Sequence, residues 1–531
     1  MGIYGIQQLT LRRLVGLAFV AIYLLFGLPL WYKLTSVHRA TLPLEYINNL
    51  SHDRHNDIHI SIPFFVDYNR KYYSNLHAEL QNVINSKLST LENKPIDWTV
   101  NVQKMNEKIE DSIEIDPTSY HVLRLKEGPS LSLQKGEDST VSIVEFDFKS
   151  VEYDDLLQFI SNSMLNDIFK LESSHFSNNY NTKEHQLSIS YNPTVHLSLS
   201  LLSGDGSPIS WDIDNSLKNY ITPLRKFLSP VFNFTVDTNL VYYSDLNLYK
   251  LNELESVSVK DISYVADISE VSSIDDFSEA VGLNLAIVFP SSGTAPTGLN
   301  FINSTELTIE GTDISTQWES FVIPQWGVLI INKYPLKSKA VLDDNYLKPI
   351  MYQFSEKIIQ LLGIEQVNNE MTSPYIILDS FKRYVTVKNL DKSLETLESL
   401  VRLTQTFEQM AIPTEVAEDV KTAIQLRNKI IKLLNNPKLA GNQVWNEALL
   451  LSNELVKVCE SAFFDGKMVQ QNYFPQEHKM AVYFPFFGPT TLVLLLGLIK
   501  LLKEKKNEEI KSEESETLPT KNNDGNEKEK I

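Results

Sequence analysis

Apolar residues alternate at Ile58, Ile60, Ile62, Phe64 and Val66, the two-residue period of a strand with one face on a core. Helical spacing follows at Tyr73, Leu76, Leu80, Val83 and Ile84, and alternation returns at Trp98, Val100 and Val102, so the order predicts a βαβ unit. Val195, Leu197, Leu199 and Leu201 predict another strand, with His196, Ser198 and Ser200 on its polar face, and residues 240–243 predict one more. Residues 283–289 and 326–332 are apolar almost throughout, which predicts strands covered on both faces. Gly204, Asp205, Gly206, Ser207 and Pro208 lie between apolar runs and predict a hairpin turn with glycines at positive φ. After about Asn389 the period lengthens. Leu394, Leu397, Val401, Thr404 and Phe407 make one stripe, Val416, Val420, Ile424, Ile431 and Leu434 a second, and Trp445, Ala448, Leu455, Cys459 and Ala462 a third. They predict a helical bundle, with Thr414 capping the second helix and Glu415 and Glu418 at its positive end.

Two long, predominantly apolar stretches carry no charge: residues 14–32 and residues 480–499. Each is long enough to cross a bilayer as a helix, with Pro29, Pro485 and Pro489 kept toward one end of its span. No small-residue cleavage site follows the first, which predicts an uncleaved anchor. Arg12 and Arg13 precede it, and Lys500, Lys503, Lys505 and Lys506 follow the second, so positive charge places both termini in the cytosol; Lys33 and Arg39 oppose that weighting. The expected layout is a cytosolic segment 1–13, a span 14–32, a lumenal α/β domain 33–389, a lumenal helical segment 390–479, a span 480–499 and a charged tail 500–531, without structure from Lys503 onward. Arg12 and Arg13 are also placed to engage lipid headgroups, including anionic phosphates.

Composition narrows the chemistry. A formal charge of -19, from 48 Lys and Arg against 67 Asp and Glu, argues against nucleic acid, since it leaves little from which to build a basic face. One cysteine excludes an internal disulfide and a cysteine-rich zinc site, and Cys459 falls on an apolar stripe, where a thiol is an inert core residue. His52, Asp53, His55, Asp57 and His59 lack any metal-ligand spacing and predict a polar loop and strand edge. Asp212 and Asp214 form an Asp-x-Asp that a metal-dependent glycosyltransferase or hydrolase could use. The stronger expectation is a strand-to-helix junction capped by Asp214 or Asn215. No nucleophile elbow and no HExxH is present, so no catalytic, cofactor-binding or metal-binding residue is assigned. Sequons at Asn49, Asn233 and Asn303 all lie between the two apolar stretches, where a lumenal body would carry N-glycans.

Dispersed segments carry a resemblance: GLPLWYKLT at 27–35, RATLP at 39–43, SWDI at 210–213, LSPVFNFTVD at 228–237, NLAIVFP at 284–290, PQWGVLIIN at 324–332, ESAFFD at 460–465 and YFPQEHKMAVYFP at 473–485. With the two-span layout, the chain resembles the PIG-S family, yeast type, over about residues 12–506. The resemblance implies a non-catalytic assembly subunit of the glycosylphosphatidylinositol (GPI) transamidase of the endoplasmic reticulum membrane. It holds sister subunits and helps position the proprotein. The implied partners are a caspase-like catalytic subunit, PIG-T-like, PIG-U-like and GAA-type subunits, and membrane lipid. The resemblance brings no cofactor and no catalytic motif to transfer.

Overall fold

The structure, a computed structural model, describes residues 11, 14–35, 39–69, 73–90, 96–105, 120–136, 140–177, 189–208, 210–248, 280–299, 305–308, 315–337, 339–364, 372–407, 410–436, 441–470 and 476–516. They sort into two units: residues 45–398 with 421–460, and residues 1–44 with 399–420 and 461–531.

The larger unit holds two mixed sheets. In the first, β1 (His59–Asp67), β2 (Asp97–Lys104), β3 (His121–Glu127), β4 (Ser132–Lys135) and β5 (Val141–Phe146) lie in the order β2-β1-β3-β5-β4, and only β4 and β5 are antiparallel. The predicted βαβ unit is here, since β1 reaches β2 through helix α1 (Leu76–Thr90). The helix buries Leu76, Leu80, Ile84 and Leu88, while β1 buries Ile60, Ile62, Phe64 and Val66. Each such side chain stabilises the fold by about 1.5–3 kcal/mol.

The second sheet joins β6 (Thr194–Ser203), β8 (Asn233–Tyr242), β9 (Val281–Phe289), β10 (Thr305–Thr308), β11 (Ser315–Ile323) and β12 (Gly327–Asn332) in the order β10-β11-β12-β9-β6-β8. β7 (Ser210–Trp211) and β13 (Val341–Leu342) pair separately. β9 and β12 are parallel neighbours with a core on each face, as their unbroken apolar sequence predicted. Leu285, Ile287, Val328 and Ile330 face one core, and Ala286, Val288, Leu329 and Ile331 face the other.

Two expectations are corrected. Residues 204–208 are not a hairpin turn, because β6 pairs in parallel with β8 and β9, and a parallel pair needs a crossover; helix α2 (Thr222–Leu228) lies on it. Only the positive φ of Gly206, +72°, agrees. His196, Ser198 and Ser200 do alternate with apolar residues, but they are buried, not on a wet face. Alternation reports which residues share a face, not what covers it.

Helix α3 (Asp344–Leu361) begins on Asp343, whose carboxylate accepts from the Tyr346 amide at 2.9 Å. Helices α4 (Pro374–Thr406), α5 (Thr414–Leu434) and α6 (Asn442–Phe463) carry the three predicted stripes. Leu394, Leu397, Val401, Val416, Val420, Trp445, Ala448, Leu455 and Cys459 are all buried. Phe407 lies beyond its helix and is exposed. Thr414 is itself the first helical residue. The compositional change near Asn389 falls inside α4. Asn389 donates to Ser452 and Asn453 at 3.0 and 2.8 Å, and Lys429 pairs with Glu447 at 3.4 Å, linking the helices.

In the smaller unit, a short apolar helix Leu14–Gly27 runs on into Leu28–Thr35. The long helix Gln476–Glu516 contains Tyr483–Glu504, the one helix among the described residues long and apolar enough to cross a membrane. Tyr23 Oη and Thr491 Oγ1 share a hydrogen bond of 3.1 Å. Lack of structure was expected from Lys503, yet the helix continues to Glu516, over Lys and Glu residues that favour helix. Arg39 donates to the carbonyls of Thr404 and Phe407 at 2.9 and 3.2 Å. It thereby satisfies the negative end of a helix, a structural use for the charge that opposed the topology weighting.

Candidate functional site

The His/Asp run near the start of the chain is spent on separate partners. Arg54 bridges Glu395 and Glu398, each at 3.1 Å, and His55 Nε2 donates to Asp391 at 2.7 Å. Asp57 takes two bonds from Arg427, at 2.7 and 3.0 Å, and His59 pairs with Asp97 at 2.8 Å. His52 ends helix Leu44–His52, and Asp53 accepts from Asn56. The segment therefore fastens α4 and α5 to the start of β1, and no metal site assembles here or elsewhere among the described residues.

Asp212 stands at the junction between β7 and helix Ile213–Ser216, as expected for a strand-to-helix turn, but neither Asp214 nor Asn215 is the cap, since both lie inside the helix. Asn215 Nδ2 donates to both Asp212 carboxylate oxygens, at 3.0 and 2.9 Å, while Asp214 is exposed. The two carboxylates do not converge with a third metal ligand among the described residues. Cys459 is fully buried.

Open α/β sheets hold ligands beyond the carboxyl ends of strands, where the strand order reverses. In the second sheet that point lies between β6 and β9. The loop after β9 is stitched both to the loop after β6 and to the segment after β8. Asp205 accepts from the Ser292 amide at 2.8 Å and from its hydroxyl, and Asp245 accepts from the Ser291 amide at 3.1 Å and the Thr294 hydroxyl at 2.6 Å. Tyr243 covers Gly206, where a β-carbon would come within 2.7 Å of the ring. In the first sheet, Asp67 and Arg124 pair at 3.1 Å across β1 and β3. Beyond them Tyr68 bonds His77 at 2.8 Å, and Tyr73 stacks on Tyr153. Burial, aided by Glu79, pushes the Tyr153 hydroxyl up in pKa, so it stays a neutral donor.

One polar cluster escaped sequence reasoning. Arg383 and Glu172 pair at 2.6 Å, Lys382 and Asp379 pair at 2.9 Å, and His121 Nε2 lies 3.9 Å from Asp379, all in the interior. Burial lowers the His121 pKa from 6.5 to about 4, with Arg383 and Lys382 pushing the same way against the pull of Asp379. Neither ring nitrogen of His121 has a hydrogen-bond partner among the described residues. Asp379, Lys382 and Arg383 look like a solvated helix face in sequence. The only available signal was the apolar setting of residues 374–387 on either side of them.

Asn49 is exposed on helix Leu44–His52, and Asn233 is exposed at the first position of β8; Asn303 lies outside the described residues, as do Arg12 and Arg13. In the Asn233 sequon the Thr235 hydroxyl bonds His196 Nδ1 at 2.7 Å.

These features define a mixed α/β protein with long C-terminal helices and a helix suited to a bilayer, whose described polar clusters are consumed in holding the fold. The chain belongs to the PIG-S family: residues 18–508 match the profile described as phosphatidylinositol-glycan biosynthesis class S protein. It is similar to the GPI transamidase component GPI17 of Saccharomyces cerevisiae, 46% identical over 499 residues that cover 93% of each chain. It is also similar to the GPI transamidase component PIG-S homolog of Schizosaccharomyces pombe, 25% identical over 93% of this chain and 84% of that one. The human GPI-anchor transamidase component PIGS is 24% identical over 94% and 97%.

Proposed function

We propose that this chain is a component of a GPI transamidase in the endoplasmic reticulum membrane and that it assembles the complex rather than making the new bond. The observation that carries the reading is 46% identity with a yeast component across nearly the whole of both chains. Support for a non-catalytic role comes from the polar groups. Both carboxylate oxygens of Asp212 accept from Asn215, the loops at the crevice between β6 and β9 are bonded to each other, and Cys459 is sealed in a core. A sister subunit then supplies the nucleophile, and the body 33–479 contributes surfaces that hold the caspase-like, PIG-T-like, PIG-U-like and GAA-type subunits and orient the proprotein.

In this reading residues 14–32 and 480–499 both span the membrane, the two termini are cytosolic, and the body between them is lumenal, with glycans on Asn49, Asn233 and Asn303. The antiparallel contact of Tyr23 with Thr491 favours two crossings side by side. Arg12 and Arg13 meet lipid headgroups at the cytosolic boundary. Purification of the tagged chain from microsomes in mild detergent, with subunit identification, should recover the transamidase partners and its activity. Recovery of the chain alone, turning over an amide or glycosidic bond unaided, would overturn the assignment.

A further inference from the structure

Helix Leu14–Gly27 and helix Tyr483–Glu504 lie in the same unit and run in opposite directions, with Gly16 against Leu501 and Tyr23 against Thr491. A β-carbon at Gly16 would sit 2.7 Å from Leu501 Cδ1, so the helices meet there through bare backbone. Beside that contact they part around a notch of about 390 Å3, lined by Leu11, Val15, Gly497, Lys500, Leu501 and Glu504. A β-carbon at Gly497 would meet nothing within 4 Å, so this glycine opens space where Gly16 closes it.

Lys500 and Glu504 are one turn apart on the same helix face, and neither makes a hydrogen bond or ion pair among the described residues. They close the apolar stretch, which puts both charges at headgroup depth in a spanning helix. Resting on the two-span reading above, we propose that the notch seats one zwitterionic phospholipid with a primary amine. Its phosphate meets Lys500, its ammonium donates to Glu504, and an acyl chain descends past Val15 and Gly497. An anionic lipid with a glycerol or inositol headgroup would offer Glu504 no cation, and a serine headgroup would bring a second carboxylate against it. A quaternary amine would offer it no hydrogen-bond donor, and the walls carry no aromatic ring to hold one. Free phosphate would leave the apolar wall uncovered.

The test reconstitutes the intact complex in phosphatidylcholine nanodiscs with phosphatidylethanolamine bearing a photoreactive acyl chain. The label should fall on the peptide containing Gly497 and Glu504, and Gly497→Leu, which fills the notch, should reduce it about fivefold. Glu504→Gln, which leaves the shape intact, should make an anionic glycerol-headgroup probe label as well as the ethanolamine probe does. Unchanged labelling in Gly497→Leu, equal labelling of the wild type by both probes, or crosslinking of this face to a helix of another subunit would each overturn the seat. Protease digestion of a C-terminal tag outside intact microsomes reports the span reading separately. With the tag digested, absence of the label refutes the seat alone.

Discussion

Arg383 Nε donates to Glu172 Oε1 at 2.6 Å, with both side chains shut off from solvent, and the second oxygen of Glu172 has no hydrogen-bond partner among the described residues. Removing one member leaves an unpaired charge in the interior. Arg383→Met or Glu172→Gln should each lower stability by about 3–5 kcal/mol, whereas Arg383→Met combined with Glu172→Leu should cost less than either alone. Thermal unfolding of the purified chain in detergent separates these outcomes, and equal loss in all three variants would deny the coupling.

His121 sits beside that pair and gives the fold a pH dependence. The unfolded chain takes up a proton near pH 6.5, while the buried ring resists until about pH 4. The stability due to neutral burial is therefore whole above 6.5 and is lost as pH falls toward 4, by roughly 3 kcal/mol across the window. His121→Leu should flatten the unfolding midpoint against pH in that range. A slope unchanged by the substitution would assign the dependence to other groups.

Gly327 opens β12 at φ +144°, and a β-carbon there would lie 1.9 Å from the Asn284 carbonyl oxygen. The neighbouring backbone is fixed by the Asn284 amide, which donates to Trp326 at 2.9 Å. Gly327→Ala should cost about 3 kcal/mol or more and reduce the steady-state level of the chain, measured against Gly282→Ala, where a β-carbon meets nothing.

Asn49→Gln, Asn233→Gln and Asn303→Gln should each remove one glycosidase-sensitive step in gel mobility. Loss of no step from any variant would count against a lumenal body. Both described sequon asparagines are exposed, so the substitutions should leave unfolding unchanged within about 0.5 kcal/mol.

Asp212→Asn and Asp214→Asn should leave GPI attachment in cells intact, because Asp212 is bonded to Asn215 and Asp214 faces solvent. Abolished attachment in an intact complex, with loss of a bound divalent cation, would instead make the pair catalytic.

Hydrophobic period alone determines much of this protein. The βαβ unit at residues 58–102, the doubly covered strands β9 and β12, and the three helical stripes are local patterns of burial, and burial is written residue by residue. The long apolar helix was legible for the same reason. Partnership was not. Whether His196 and Ser198 face water, what Asp57 holds, and why Arg383 is buried depend on groups tens to hundreds of residues away, and no spacing encodes which elements will face each other. The run from His52 to His59 shows the division: its polarity was evident in the chain, but only the approach of α4 and α5 turned it from a solvated loop into a clasp. Long-range Coulomb and hydrogen-bond pairing, unlike hydrophobic period, is decided when distant elements meet.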